Sequence, residues 1–214
     1  NIENFRKQLP IDVTLVAVSK TKSASDIMEA YSTGHRIFGE NKIQEMEGKW
    51  KELPKDIEWH MIGHVQTNKV KYMAPFVSLI HAVDSLKLLK EINKQAKKFD
   101  RTINCLLQIK IADEDSKYGM NIEDAGQLMA SEEMETFQNI EVIGLMGMAT
   151  FTENTKKINK EFQKLKKHYD TLKDIYNLKV LSMGMSGDYK LAIENGSTMI
   201  RVGSKIFGER YYNN

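Results

Sequence analysis

The chain has 214 residues, 41% hydrophobic and 28% charged, with 31 Lys and Arg against 29 Asp and Glu, and a formal net charge of +2. That is the balance of an ordinary globular protein, expected here as a single domain over residues 1–214. The near-neutral charge gives no reason to expect a nucleic-acid groove or a membrane face.

Lysine runs at 156–157 and 164–167 lie on a helical pattern and read as a solvated face. The single cysteine, Cys105, sits inside the apolar stretch 103–109 as a packing residue, so no disulfide or oxidising compartment is indicated. No stretch reaches the length of a membrane span, and the start has no leader pattern, although the chain opens on Asn1 as a trimmed chain would. A cytoplasmic protein is expected.

In chain order, a short apolar strand is followed each time by an amphipathic helix. The pairs are strand 13–18 with helix 25–33, 36–38 with 42–51, 57–62 with 66–73, and 77–82 with 85–99. They continue as 102–109 with 122–131, 140–146 with 154–176, 179–182 with 188–195, and 197–202 with a short terminal helix. Strands alternating with helices pair in parallel through βαβ units, and eight such units predict a closed (β/α)8 TIM barrel. A doubly wound open sheet is the alternative. Ser25 and Asp26 are expected to cap the helix at 25–33, and Asp84 or Ser85 the helix at 85–99. Leu86, Leu89, Ile92 and Ala96 form the apolar stripe of that helix, and Gly34 and Gly196 close helices.

Active sites of such barrels form where strands run into helices. The first strand ends in Val18-Ser19-Lys20-Thr21. A lysine at the tip of a buried strand is costly to desolvate, and desolvation favours the neutral amine that attacks a carbonyl. Lys20 is therefore a candidate Schiff-base lysine, against the commoner alternative of a side chain snorkelling to solvent. The other strand ends offer Gly39-Glu40-Asn41, His60 and His64, His81 and Asp84, Lys117-Tyr118-Gly119-Met120, and Met146-Gly147-Met148. His60, His64 and His81 match no common zinc spacing, and no metal is expected. Lys69 and Lys71, beside Asn68, read as a solvated helix face.

The seventh and eighth strands end in Met183-Gly184-Met185-Ser186-Gly187 and Arg201-Val202-Gly203-Ser204. Gly/Ser turns at those two places suit a phosphate. A phosphate site facing a strand-end lysine admits pyridoxal 5′-phosphate or a phosphosugar held as a Schiff base. Arg201 and Gly203 share a face by period-two alternation, which aims Arg201 into the top of the barrel, where it would face a pyridine nitrogen or pair with a carboxylate.

These blocks resemble the pyridoxal phosphate homeostasis proteins (the YggS/PROSC type) over nearly the whole chain. The matching runs include Ala17-Val18-Ser19-Lys20-Thr21, Phe38-Gly39-Glu40-Asn41, Trp59-His60-Met61-Ile62-Gly63, Gln66-Thr67-Asn68-Lys69, Met183-Gly184-Met185-Ser186 and Arg201-Val202-Gly203-Ser204. The resemblance implies the fold of the alanine racemase N-terminal domain, with Lys20 joined to pyridoxal 5′-phosphate. It also implies Ser186, Gly203 and Ser204 on the phosphate, Arg201 at the ring nitrogen, and Asn41 and Met185 along the ring.

A pyridine nitrogen set against a permanent cation stays unprotonated, which weakens the ring as an electron sink. Racemases of this build add a tyrosine base from a partner subunit and a C-terminal β domain. Asn214 falls just after the barrel is expected to close, so that domain is not expected, and nothing places Tyr211 or Tyr212 over the ring. A monomeric cofactor carrier with little intrinsic turnover is therefore expected, serving apo enzymes that use the cofactor. A racemase-like enzyme is the alternative.

Overall fold

The computed structural model describes residues 2–112 and 118–208. Its elements follow the strand–helix alternation, after a short leading helix that hydrophobic periodicity did not announce. They are α1 (Ile2–Arg6), β1 (Thr14–Val18), α2 (Ala24–Ser32), β2 (Ile37–Glu40), α3 (Ile43–Glu52), β3 (Glu58–Met61), α4 (Val70–Met73), β4 (Leu79–Val83) and α5 (Leu86–Lys98). Then come β5 (Ile103–Ile109), α6 (Ile122–Met129), α7 (Glu132–Glu135), β6 (Ile140–Gly147), α8 (Thr155–Tyr176), β7 (Val180–Ser182), α9 (Tyr189–Glu194), β8 (Met199–Val202) and α10 (Ser204–Phe207). All eight strands are parallel and close in sequence order. The closing seam pairs β1 with β8 from Thr14–Met199 to Ala17–Val202, which rules out the open sheet.

Period-two alternation sorts the strand side chains into two cores. Val16, Leu79, Leu106, Met146 and Met199 fill the barrel interior. Leu15, Ala17, Phe38, Trp59, Met61, Ile80 and Cys105 face outward and pack under the helices. Burial there pushes the Cys105 thiol up, as suits a packing residue.

Several local expectations need correction. Ser23, not Ser25, caps α2. Its hydroxyl accepts the Asp26 N–H at 3.1 Å, and Asp26 returns a carboxylate to the Ser23 N–H at 2.9 Å. This reciprocal box is worth about 1 kcal/mol. Ser85 caps α5 by accepting the Leu88 N–H at 3.3 Å, while Asp84 faces His64 instead. The buried stripe of α5 is Leu88, Leu89, Ile92, Gln95 and Ala96. Leu86, roughly 120° from the centre of that stripe at a helical period of 3.6, is only half-buried.

The helix expected at 66–73 is a 3₁₀ turn, Thr67–Lys69, running into the single turn of α4. The helix expected at 122–131 stops at Met129, and Ser131 begins α7. Gly34 and Gly196 both adopt φ +85 at helix ends, as expected of helix-closing glycines. Among the described residues no helix is long and apolar enough to cross a membrane.

Candidate functional site

The alternation that sends Val16 inward also sends Val18 and Lys20 inward, and it turns Ser19 out toward the helices. Lys20 thereby lines a cavity of about 530 Å³ at the C-terminal mouth of the barrel. Asn41, Met185, Ser186, Arg201, Gly203 and Ser204 line the same cavity. All seven residues singled out in the sequence thus meet in one place.

Arg201 lies deepest of these, only 3% exposed. Its guanidinium donates to Ser182 Oγ at 2.5 Å and to the Gly147 carbonyl at 3.2 Å. Behind Ser182 stand two further inward residues. His81 Nδ1 is 3.1 Å from Ser182 Oγ, and His81 Nε2 is 3.0 Å from His60 Nδ1. Burial lowers both imidazoles, His60 to about 3 and His81 well below its ordinary value, so both are neutral at neutral pH. Burial also lowers Arg201, to about 10, with Asp188 on the cavity wall acting against that shift. The guanidinium therefore keeps its charge among neutral acceptors.

The loops after β7 and β8 meet on the far side of the mouth from the histidines. The Gly203 N–H donates to Ser186 Oγ at 3.2 Å, which joins the two turns. Ser204 opens α10 and is exposed. The Met185 N–H is already committed to Asp188 Oδ1 at 2.6 Å, so the donors left in this corner are side-chain hydroxyls and turn amides. Asn41 is held by a close approach of the next loop. A Cβ added at Gly63 would stand 2.3 Å from the Asn41 carbonyl oxygen, so only glycine lets that loop pass.

Other wall residues were not singled out as ligand-facing. Lys22 donates to the carbonyls of Phe207 at 3.0 Å and Gly208 at 3.4 Å, tying the β1 loop to the end of α10 beside the cavity. Its signal in the sequence is its place two residues beyond Lys20 in the loop that follows β1. On the opposite rim His64 stacks on Tyr118, with ring centroids 4.2 Å apart, and pairs with Asp84 at 3.5 Å. The three histidines are thus split between two settings. Among the described residues no group of three His, Cys, Asp or Glu side chains is placed to hold a metal. Lys117, Tyr211 and Tyr212 lie outside the described residues.

The donor set suits a small anionic ring bearing a carbonyl. Lys20, Lys22 and Arg201 supply positive charge and amines, Ser186 and Ser204 supply hydroxyls, and Ile62 and Met185 supply apolar contact. Pyridoxal 5′-phosphate has that chemistry, and the residues present fit it.

Comparison with known proteins points the same way. Residues 1–211 match the family model of the alanine racemase N-terminal domain. The pyridoxal phosphate homeostasis protein of Aquifex aeolicus (strain VF5) is 39% identical over 201 residues, covering 92% of this chain and 87% of its own. Its namesake in Helicobacter pylori (strain ATCC 700392 / 26695) is 40% identical over 199 residues, covering 92% and 88%. Among solved structures, PipY of Synechococcus elongatus PCC7942, with PLP bound, superposes with a TM-score of 0.87 at 33% identity, covering 97% of this chain and 98% of that one. Alanine racemase of Clostridium difficile 630, at 14% identity and a TM-score of 0.75, shares the fold. On the matched model and these relatives, the chain belongs to the pyridoxal phosphate homeostasis protein family, built on the barrel of the alanine racemase N-terminal domain.

Proposed function

We propose that this protein binds pyridoxal 5′-phosphate through Lys20 and stores, buffers or delivers it, as a carrier rather than a catalyst. The observation that carries the reading is the inward Lys20 on one side of a single cavity mouth, with the Ser186–Gly203–Ser204 corner beside it. When bound, the cofactor supplies an aldehyde that condenses with a lysine amine.

The chain's own residues do the rest. Ser186 and Ser204 would hold the phosphate through their hydroxyls, with Gly203 placing the first of them through its N–H. Asn41 and Met185 flank the ring. Arg201 would present a cation to the ring nitrogen and is kept in place by Ser182 and the Gly147 carbonyl. A fixed cation there opposes protonation of the ring nitrogen and so disfavours turnover at an amino-acid α-carbon. We place the carrier in the cytoplasm as a monomer, a single domain over residues 1–214, with apo enzymes that use the cofactor as its recipients.

The test is spectroscopic. The wild-type protein loaded with cofactor and then freed of unbound cofactor should keep a visible absorbance that disappears on borohydride reduction and is missing in Lys20→Ala. A wild-type protein that is colourless after the same treatment overturns the reading.

A further inference from the structure

Lys20 faces the cavity, yet its two chain neighbours are gripped from outside the barrel wall. Ser19 turns outward, where its hydroxyl donates to Glu40 Oε1 at 2.6 Å and its carbonyl accepts from Lys49 Nζ at 2.8 Å. Thr21 donates its N–H to Glu45 Oε1 at 2.6 Å. Lys49, on α3, joins these two holds. Its ammonium also donates to Glu40 Oε1 and to Glu45 Oε1, each at 2.7 Å, so its three protons serve three acceptors. Lys49 is 8% exposed and Glu40 fully buried.

The backbone held in this way is under strain. Thr21 has φ +65, the left-handed region that a β-branched residue adopts only when its surroundings impose it. Two contacts hold it there, the Glu45 bond to its N–H and the 3.0 Å bond from the Lys22 N–H to the Ser19 carbonyl that closes the turn. Were the peptide to relax, residue 20 would rotate with it and carry the amine away from the barrel axis.

We propose that Glu45, set by Lys49 and Glu40, is a positioning residue for Lys20, holding the strained Thr21 peptide so that the amine points at the cofactor's aldehyde. The hydrogen bonds of the cluster reach neither the phosphate hydroxyls nor Arg201, so its first effect is on the amine, and the aldehyde-free ligand reads any shift passed on through Lys22 to α10. The proposal rests on Lys20 being the point of attachment, and the experiment separates the two claims.

Glu45 sits half-buried in the first turn of α3, where substitution leaves Glu40 and Lys49 paired. Two ligands are titrated into Glu45→Ala and Glu45→Gln. Pyridoxal 5′-phosphate reads the whole site. Pyridoxine 5′-phosphate, which has no aldehyde, reads the ring and phosphate contacts without the lysine.

Release of the left-handed conformation predicts that Glu45→Ala binds pyridoxal 5′-phosphate about tenfold more weakly. Its affinity for pyridoxine 5′-phosphate should be unchanged. Glu45→Gln should stay near wild type, because a glutamine Oε1 still accepts from Thr21. The proposal is overturned if Glu45→Ala binds the aldehyde like wild type, or if it loses both ligands equally, as damage to the fold would produce. Failure of the wild type to take up either ligand would instead overturn the functional reading.

Discussion

Acid should unfold this protein well above the pH at which its carboxylates protonate, and three histidines set the window. His35, His60 and His81 are 5%, 4% and 0% exposed. Burial is the main cause of lowering in each case, to about 4 for His35, to about 3 for His60, and well below the ordinary value for His81. Each is neutral when folded and takes up a proton on unfolding once the pH drops below about 6.5. The stability they confer is therefore complete above about pH 7 and is lost as pH falls toward the folded-state values.

At pH 5 each costs on the order of 2 kcal/mol relative to pH 7.5, or about 6 kcal/mol for the three together. That is comparable with the whole stability of a typical domain. Glu40 works the other way, because burial raises its carboxyl and favours the protonated folded form as pH falls. Urea titrations followed by the fluorescence of buried Trp59 read the change directly. His35→Gln, which keeps a donor toward the Ile37 carbonyl, should remove about a third of the loss. A stability that changes by less than about 1 kcal/mol between pH 7.5 and pH 5 would refute the reasoning.

Two further expectations concern the site. Ser182→Ala strips the buried Arg201 guanidinium of its 2.5 Å acceptor, at a cost of about 2–3 kcal/mol. The melting temperature should fall by roughly 4–12 °C, and a shift under about 1 °C would show that the hydroxyl is dispensable. The double variant Ser186→Ala with Ser204→Ala should release pyridoxal 5′-phosphate faster during dialysis while keeping the Lys20-dependent absorbance at saturation. Unchanged retention would remove those hydroxyls from the phosphate site.

The barrel was legible because each of its units repeats one pattern, and the phosphate corner because glycine and serine cluster at the ends of β7 and β8. Lys20 stood out because a charge at the tip of an apolar strand needs a reason. The same argument applies to Glu40, which ends β2 fully buried. Glu45 and Lys49 stand four residues apart on one helix, a spacing that usually marks a solvated pair of little worth. Only the closing of β1 against β2 under α3 brings Ser19 and Thr21 to them and removes Lys49 from water. The spacing of His60 and His81 suits no common zinc pattern and says nothing of their partners. What joins them to Arg201 is their shared inward parity across the barrel, with Ser182 101 residues further on from His81.

Two buried cations among the described residues, Lys49 and Arg201, are treated in opposite ways, and the difference bears on what the cavity is for. Outside the wall, Lys49 is matched by Glu40 and Glu45 and is fully committed to the fold. Inside, the hydrogen bonds of Arg201 go to a hydroxyl and a carbonyl, and the groups behind Ser182 are neutral imidazoles. Asp188 on the cavity wall offsets part of the desolvation cost of this guanidinium, and a further anion beside it would reduce that cost more. The cavity mouth beside it is where an anionic ligand brings that charge. Binding should then stabilise the fold in proportion to ligand concentration over its dissociation constant. On this account Arg201 couples occupancy of the site to the integrity of the barrel core, a property better suited to holding a cofactor than to turning over a substrate.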